Sequence, residues 1–222
     1  MSSKLKELES KPQVPGNSSR GILFVVSSPS GGGKGTLIRR VLALVPDISY
    51  SVSYTTRAPR NGEVAGREYF FVDRKTFAEM VDAAEFLEWA CVHSNLYGTA
   101  NRQVVQETSA GSDIILEVDV QGAASVRKLA VDSVSIFILP PSYEVLQQRL
   151  VARGTDTSEE LELRLRNAPE EISQYATFDY VIINDNVESA ATQIAAIVYA
   201  ERARCNRQQE VVNQVIQNFK AG

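Results

Sequence analysis

The chain has 222 residues, enough for one catalytic domain with a small insertion. A hydrophobic fraction of 44% beside 23% charged residues fits a packed globular protein and excludes disorder over most of the length. The net charge of −4 argues against non-specific nucleic-acid binding, which needs a basic surface, yet leaves room for arginines clustered on a small anion.

Residues 1–20 are polar and broken by Pro12, Pro15 and Gly16, so a loose tail outside the fold is expected there. They hold no apolar core of a signal peptide, and no later run reaches the roughly 18 apolar residues that span a bilayer. Cys91 and Cys205 make neither a disulfide framework nor a zinc cluster. The expectation is a cytoplasmic protein with reduced thiols and neither nucleic-acid nor membrane partners, its oligomeric state left open.

Gly21–Ser27 is a short apolar, β-branched run, predicted as a strand buried on both faces. A glycine cluster follows, then helical spacing of aliphatics over Thr36–Leu44. Residues 51–97 are rich in strand formers, with turn signals at Arg60-Asn61-Gly62 and Ala65-Gly66, and read as a small, mostly β insertion. Alternation then resumes: strand Asp113–Asp119, helix Gln121–Leu129, strand Ser133–Leu139, helix Ser142–Val151. Between Arg149 and Arg166 the charge density rises and the helix is interrupted at Gly154-Thr155, which suggests a mobile, arginine-bearing lid. Tyr180–Ile183 is a late strand, followed by one long helix from Val187 towards Phe219, with Glu201–Glu210 as a solvated face of it. The alternation predicts an α/β fold around a mostly parallel sheet.

Ser28-Pro-Ser-Gly-Gly-Gly-Lys-Gly-Thr36 is the segment that carries chemistry. Its glycines let successive N–H groups turn inward on an anion, at a helix N-terminus that also favours negative charge. Lys34 adds a full charge able to follow the β- and γ-phosphates of a nucleoside triphosphate. Ser28 stands where the usual pattern has glycine, and Gly35 where it has the magnesium-binding hydroxyl, which Thr36 could supply. The Gly-Lys-Gly-Thr ending resembles that of adenylate kinases.

Arg57 and Arg60 flank a proline, and two guanidinium forks held close can grip one phosphate. Alone, the pair also fits a solvated basic turn, Tyr69 and Tyr97 fit packing positions, and Glu88 fits an exposed acid. A carboxylate also offers two acceptor oxygens to a partner that presents paired N–H donors. The only histidine, His93, lacks a partner motif and is expected to have no chemical role.

From Ser51 the chain reads Ser-Val-Ser-Tyr-Thr-Thr-Arg-Ala-Pro-Arg-Asn-Gly-Glu, and Tyr69-Phe-Phe follows. Then come Phe86-Leu-Glu-Trp89, Asn95-Leu-Tyr-Gly-Thr99, Glu117-Val-Asp-Val-Gln-Gly122, Ile138-Leu-Pro-Pro-Ser142 and Val181-Ile-Ile-Asn-Asp185. In order and spacing this resembles the guanylate kinase family over nearly all of residues 21–205. The resemblance implies a P-loop core (21–50, 98–148 and 177–222), a GMP-binding region (51–97) and a lid (about 149–176). It implies transfer of a phosphoryl group from ATP to GMP, with dGMP as a candidate second acceptor and Mg2+ as cofactor. The family's site residues map by position. The ATP site comprises Ser28, Pro29, Ser30, Gly31, Gly32, Gly33, Lys34, Gly35 and Thr36, with Arg149, Arg153 and Asn184. For GMP, Arg57, Arg60, Tyr69 and Tyr97 hold the phosphate, and Ser53, Glu88, Thr99 and Asp119 hold the base. Lys34, Arg57, Arg149, Arg153 and Arg164 are the implied catalytic residues, and Thr36 and Glu117 lie near the metal, partly through water. Glu117 departs from the family's usual aspartate and moves the charge by one methylene. Asn184 and Asp185 also suit a plain turn, and the lid arginines could pair with Glu159, Glu160 and Glu162.

The rival from another class is a catalytically inactive guanylate-kinase-like scaffold that binds proteins. Such domains erode the phosphate loop, whereas Gly31, Gly33, Lys34, Arg57, Arg60 and Glu88 all remain here. A nearer rival is a relative that phosphorylates a different small acceptor, against which Ser53, Glu88 and Asp119 argue.

Overall fold

The computed structural model describes residues 20–60, 62–92, 94–129, 132–154 and 157–221. The expectations for residues 1–19, for Asn61, for His93 and for Thr155 lie outside the described residues, as does the side chain of Arg153.

Five strands form a wholly parallel sheet in the order β2-β7-β1-β8-β9. They are β1 (Leu23–Ser27), β2 (Ile48–Tyr50), β7 (Asp113–Glu117), β8 (Ser133–Leu139) and β9 (Tyr180–Ile183). Every residue of the central β1 is buried, which is why its sequence is apolar without alternation. Its side chains still divide by face. Phe24 and Val26 join a core with Leu37, Ile38 and Val41 of α1 (Lys34–Leu44) and Ile194 and Val198 of α7 (Val187–Arg202). Leu23 and Val25 pack with Val104 of α3 (Asn101–Ser109) and Val126 of α4 (Val120–Leu129) on the other. Covered on both sides, this sheet accounts for the α/β alternation read from sequence.

A second sheet of four strands, in the order β4-β3-β6-β5, makes up most of the insertion. Its strands are β3 (Ser53–Thr55), β4 (Tyr69–Phe71), β5 (Phe86–Val92) and β6 (Asn95–Ala100). The region also contains a helix, α2 (Arg74–Asp82), which the sequence reading did not foresee. Asp73 caps α2 by accepting from the Thr76 N–H at 2.7 Å, and Phe77 stacks on Phe86 at 4.6 Å to bind helix to sheet.

The predicted lid corresponds to the end of α5 (Tyr143–Arg153) and to α6 (Ser158–Ser173). Gly154 closes α5 at φ 62°, a left-handed cap that glycine adopts without strain. Thr157 and Glu160 form a reciprocal capping box at the start of α6.

The single helix predicted from Val187 to Phe219 is two. α7 stops at Arg202, a short 3-10 turn covers Cys205–Arg207, and α8 runs Gln209–Ala221. The last turn of α7 is tied to the sheet, which fixes its end. Glu201, buried to 2% exposure, accepts from the Tyr180 hydroxyl at 2.5 Å and pairs with Arg204 at 2.8 Å. Arg202 donates to the Asp113 carboxylate at 2.7 Å and to the Pro46 and Asp47 carbonyls. The run Glu201–Glu210 is therefore not one helix face and starts on a buried acid, although most of it is exposed as its charges suggested. Among the described residues no helix is long and apolar enough to cross a membrane.

Candidate active site

The functional side chains gather at the carboxyl ends of the parallel strands, where open α/β sheets leave a crevice. β1 runs into the glycine loop, β7 ends in Glu117 and Asp119 follows, and β9 leads to Asn184. The loop curls where the sequence requires. Gly31 and Gly33 adopt φ 85° and 92°, and a Cβ on Gly33 would come within 2.5 Å of the Asn184 amide nitrogen. The Gly32 N–H closes a turn on the Pro29 carbonyl at 3.0 Å. α1 opens at Gly33 with no side-chain cap and no acidic residue in its first turn, so its N-terminal partial charge is left for an anion. Lys34 folds back over the loop, its ammonium 3.2 Å from the Ser28 hydroxyl.

Three side chains from outside the loop brace it, directly or through one another. The Asn184 amide donates to the Gly32 carbonyl at 2.9 Å, and Arg149 donates to the Asn184 carbonyl at 2.8 Å. The Asn184 Oδ1 and Arg149 Nη1 are buried with no hydrogen-bond partner among the described residues. Arg164 donates to the Ser30 hydroxyl at 2.6 Å.

The second sheet supplies the opposite wall. Glu88 and Thr99 are register partners on β5 and β6, as are Ser53 and Tyr69 on β3 and β4. An irregularity in β5 between Phe86 and Glu88 breaks the register just before the acid. Glu88 is only 7% exposed and accepts from the Thr99 hydroxyl at 2.6 Å. Burial, helped by the neighbouring Asp119 charge and opposed by the Thr99 bond, pushes the Glu88 carboxyl up to about 7. Asp119 accepts from the Gly122 N–H at 2.8 Å, and a Cβ on Gly122 would lie 2.7 Å from one Glu88 oxygen and 3.2 Å from Asp119. Glycine at 122 is what lets the two carboxylates meet.

Arg57 takes a different posture from a free phosphate clamp. Its guanidinium makes two bonds to Glu63, at 2.9 and 3.0 Å, and sits 5.4 Å from the centre of the Tyr69 ring. Glu63 also accepts from the Arg60 N–H at 2.7 Å. Burial opposes ionisation of Glu63, but the bonds from Arg57 and Arg60 outweigh it and hold the carboxyl below its usual range. Burial also raises the Tyr69 hydroxyl well above its ordinary value, with the Glu117 charge adding to the effect.

Both walls belong to one cavity of about 830 Å³, lined by Gly31–Thr36 on one side and by Ser53, Arg60, Tyr69, Glu88, Tyr97 and Asp119 on the other, with Glu117 between. That volume suits two small polar ligands end to end.

The guanylate kinase family model matches residues 20–201. The guanylate kinase of Symbiobacterium thermophilum is 48% identical over 191 residues, 86% of this chain and 90% of that protein. The guanylate kinase of Psychrobacter arcticus is 46% identical over 199 residues, 90% of this chain and 96% of that protein. The chain belongs to the guanylate kinase family. In three dimensions it resembles the crystal structure of guanylate kinase from Anaplasma phagocytophilum, with a TM-score of 0.71 at 36% identity over 85% of this chain and 90% of that one.

Guanylate kinase membership implies a divalent cation, and the donor set can be tested for it. Among the described residues no cluster of three or more His, Cys, Asp or Glu side chains could hold a metal by itself. Magnesium needs no such cage: it keeps several waters and binds one or two protein oxygens plus phosphates. Glu117 fits that pattern. One of its oxygens accepts from the Tyr50 hydroxyl at 3.3 Å, and the same oxygen lies 3.5 Å from where a Cβ on Gly35 would stand. Thr36, exposed in the first turn of α1, offers a second hard oxygen.

Of the residues expected from sequence, Pro29, Arg57, Thr99, Arg149 and Asn184 do not line this cavity. Sequence reasoning missed Glu63, Gly122, Tyr50 and Glu171. Glu63 and Gly122 ended quoted motifs, and their signals were there: an acid three residues after Arg60, and a glycine three after Asp119. Tyr50 and Glu171 carried no local signal.

Proposed function

We infer that the chain transfers the γ-phosphoryl group of ATP to GMP, releasing ADP and GDP. The observation that carries this reading is the single cavity lined by both Lys34 and the Glu88–Asp119 carboxylates. The N–H groups at the start of α1, from Gly33 to Thr36, would take the ATP phosphates, with Lys34 following the β- and γ-oxygens. Arg149, Arg153 and Arg164 would neutralise charge on the transferring group, and Asn184 would meet the adenine side while bracing Gly32. Positioning and neutralisation dominate such a transfer, so no strong base is required.

On the acceptor side, Arg57, Arg60, Tyr69 and Tyr97 would hold the GMP phosphate. Arg57 then exchanges Glu63 for phosphate, or shares it, and Glu63 keeps the segment folded through the Arg60 N–H. Ser53, Glu88, Thr99 and Asp119 would read the guanine edge. dGMP is a candidate second acceptor. Thr36 and Glu117 would hold Mg2+, partly through water. Bound there with ATP, Mg2+ supplies positive charge to the β- and γ-phosphate oxygens.

Nothing favours the scaffold reading, because the loop it would have lost is formed around Lys34. The test is ADP release with ATP and Mg2+ against each nucleoside monophosphate in turn. GMP is expected to be used, and AMP and UMP to fall behind by about 10⁴ in kcat/KM, because a site built for guanine leaves its buried acceptors unpaired on them. Equal use of AMP and GMP, or no ADP from any acceptor, would contradict the reading.

A further inference from the structure

One carboxylate in the cavity wall has no part in the scheme above. Glu171, half-buried near the end of α6, accepts from the Ser30 N–H at 3.0 Å. Two turns earlier on α6, Arg164 donates to the hydroxyl of the same serine at 2.6 Å. A separation of seven residues puts both side chains on one helix face, so the lid helix meets the phosphate loop at two points of one residue. Pro169 lies between them and removes one helical hydrogen bond, which permits a local change of direction. Beneath this contact the lid is also packed apolarly. Leu146 and Leu150 of α5 cluster with Ala168, Leu161 and Leu165 of α6, and a Cβ on Gly31 would strike Leu150 at 2.9 Å.

We propose that Glu171 is a positioning residue that pins α6 to the loop at Ser30 and so holds the Arg164 guanidinium where the phosphates pass. The apolar cluster brings the helices together, but aliphatic contacts permit sliding along the helix axis. A hydrogen bond from a loop N–H to one carboxylate oxygen sets the register. An error of about 1 Å in the placement of a charge-neutralising group costs on the order of 10²-fold in rate, so the anchor matters although it touches no substrate. The proposal rests on the phosphotransfer reading and adds a residue to it.

The test is a mutant cycle on wild-type protein, Glu171→Ala, Arg164→Ala and the double variant, assayed with ATP, Mg2+ and GMP. Glu171→Ala is expected to lower kcat about tenfold with KM for GMP changed by less than about twofold. The double variant is expected to be no slower than Arg164→Ala alone, since one residue acts through the other. Glu171→Gln, which keeps an acceptor oxygen at the same reach, should recover most of the rate, and Glu171→Asp, one methylene shorter, should recover less. In amide hydrogen exchange without nucleotide, the Ser30 N–H should be protected in wild type and in Glu171→Gln. Wild-type kcat in Glu171→Ala, losses that simply multiply in the double variant, or Glu171→Asp outperforming Glu171→Gln would each overturn the proposal. Failure of the phosphotransfer reading looks different: wild type itself then releases no ADP in response to GMP.

Discussion

The two walls of the cavity are built for binding by opposite means, on the reading proposed above. The loop Ser28–Thr36 presents backbone N–H groups whose direction is set by left-handed glycines, and Lys34 is its one ionic side chain. The wall formed by the second sheet presents side chains on paired strands, with a buried carboxylate, Glu88, as its proposed reader. A backbone site breaks when an atom is added, because Gly31, Gly32 and Gly33 have no room for it. A side-chain site breaks when an atom is removed or a proton is gained. The first is insensitive to pH and indifferent to the base attached to the phosphates. The second would select a base, at the cost of depending on the charge state of one acid.

Breaking the loop's charge should have the largest effect. Lys34→Ala is expected to lower kcat by about 10³ with the fold intact, since it removes the cation that tracks the transferring phosphates. Steady-state rates and a melting curve on the same preparation check both halves. Adding one methyl group to the loop comes next. Gly33→Ala forces a side chain into φ 92° and onto Asn184, and should cost about 10² in kcat/KM for ATP while leaving the choice among acceptors unchanged. An altered acceptor preference in that variant would mean that the two walls are not separable.

The smallest effect sharpens the comparison by pH. Because the Glu88 carboxyl is raised from 4.5 to about 7 in the folded chain without ligand, its contribution to stability is fully present below about pH 4.5 and is lost as pH rises through about 7. Guanine donors favour the ionised form, so binding GMP must remove a proton when the solution is more acidic than that. KM for GMP should therefore rise about tenfold from pH 8 to pH 6, while KM for ATP changes little. The phosphate of GMP titrates in the same range, so the comparison is with Glu88→Gln, in which the part due to the acid disappears. An unchanged profile in Glu88→Gln would remove Glu88 from base recognition.

How much of this could be read in the sequence depended on how far apart the partners lie. The phosphate loop is contiguous and sits between a strand and a helix whose patterns are local, and β8 and β9 fall on their predicted bounds. α2 was hidden because its residues lie among strand formers, although the Asp73 cap, the Lys75–Glu79 pair and the spacing of Phe77, Met80 and Val81 were local signals for it. The end of α7 was out of reach, since it is set by Arg202 meeting Asp113 across 89 positions. Glu171 meets Ser30 across 141 positions, and no spacing rule connects them. The Arg57–Glu63 pair is the instructive middle case. The residues were in view as a motif, but that the arginine would be held by an acid within its own turn required coordinates.

The central claim is that the two walls serve one reaction space, and equilibrium binding of a ligand that joins adenosine to guanosine through a chain of phosphates tests it most directly. One molecule per chain should bind, displaced by ATP and by GMP alike, with Lys34→Ala and Glu88→Ala each weakening it. Displacement by only one of the two nucleotides, or binding untouched by either substitution, would show that the loop and the carboxylates do not share a substrate-bearing cavity.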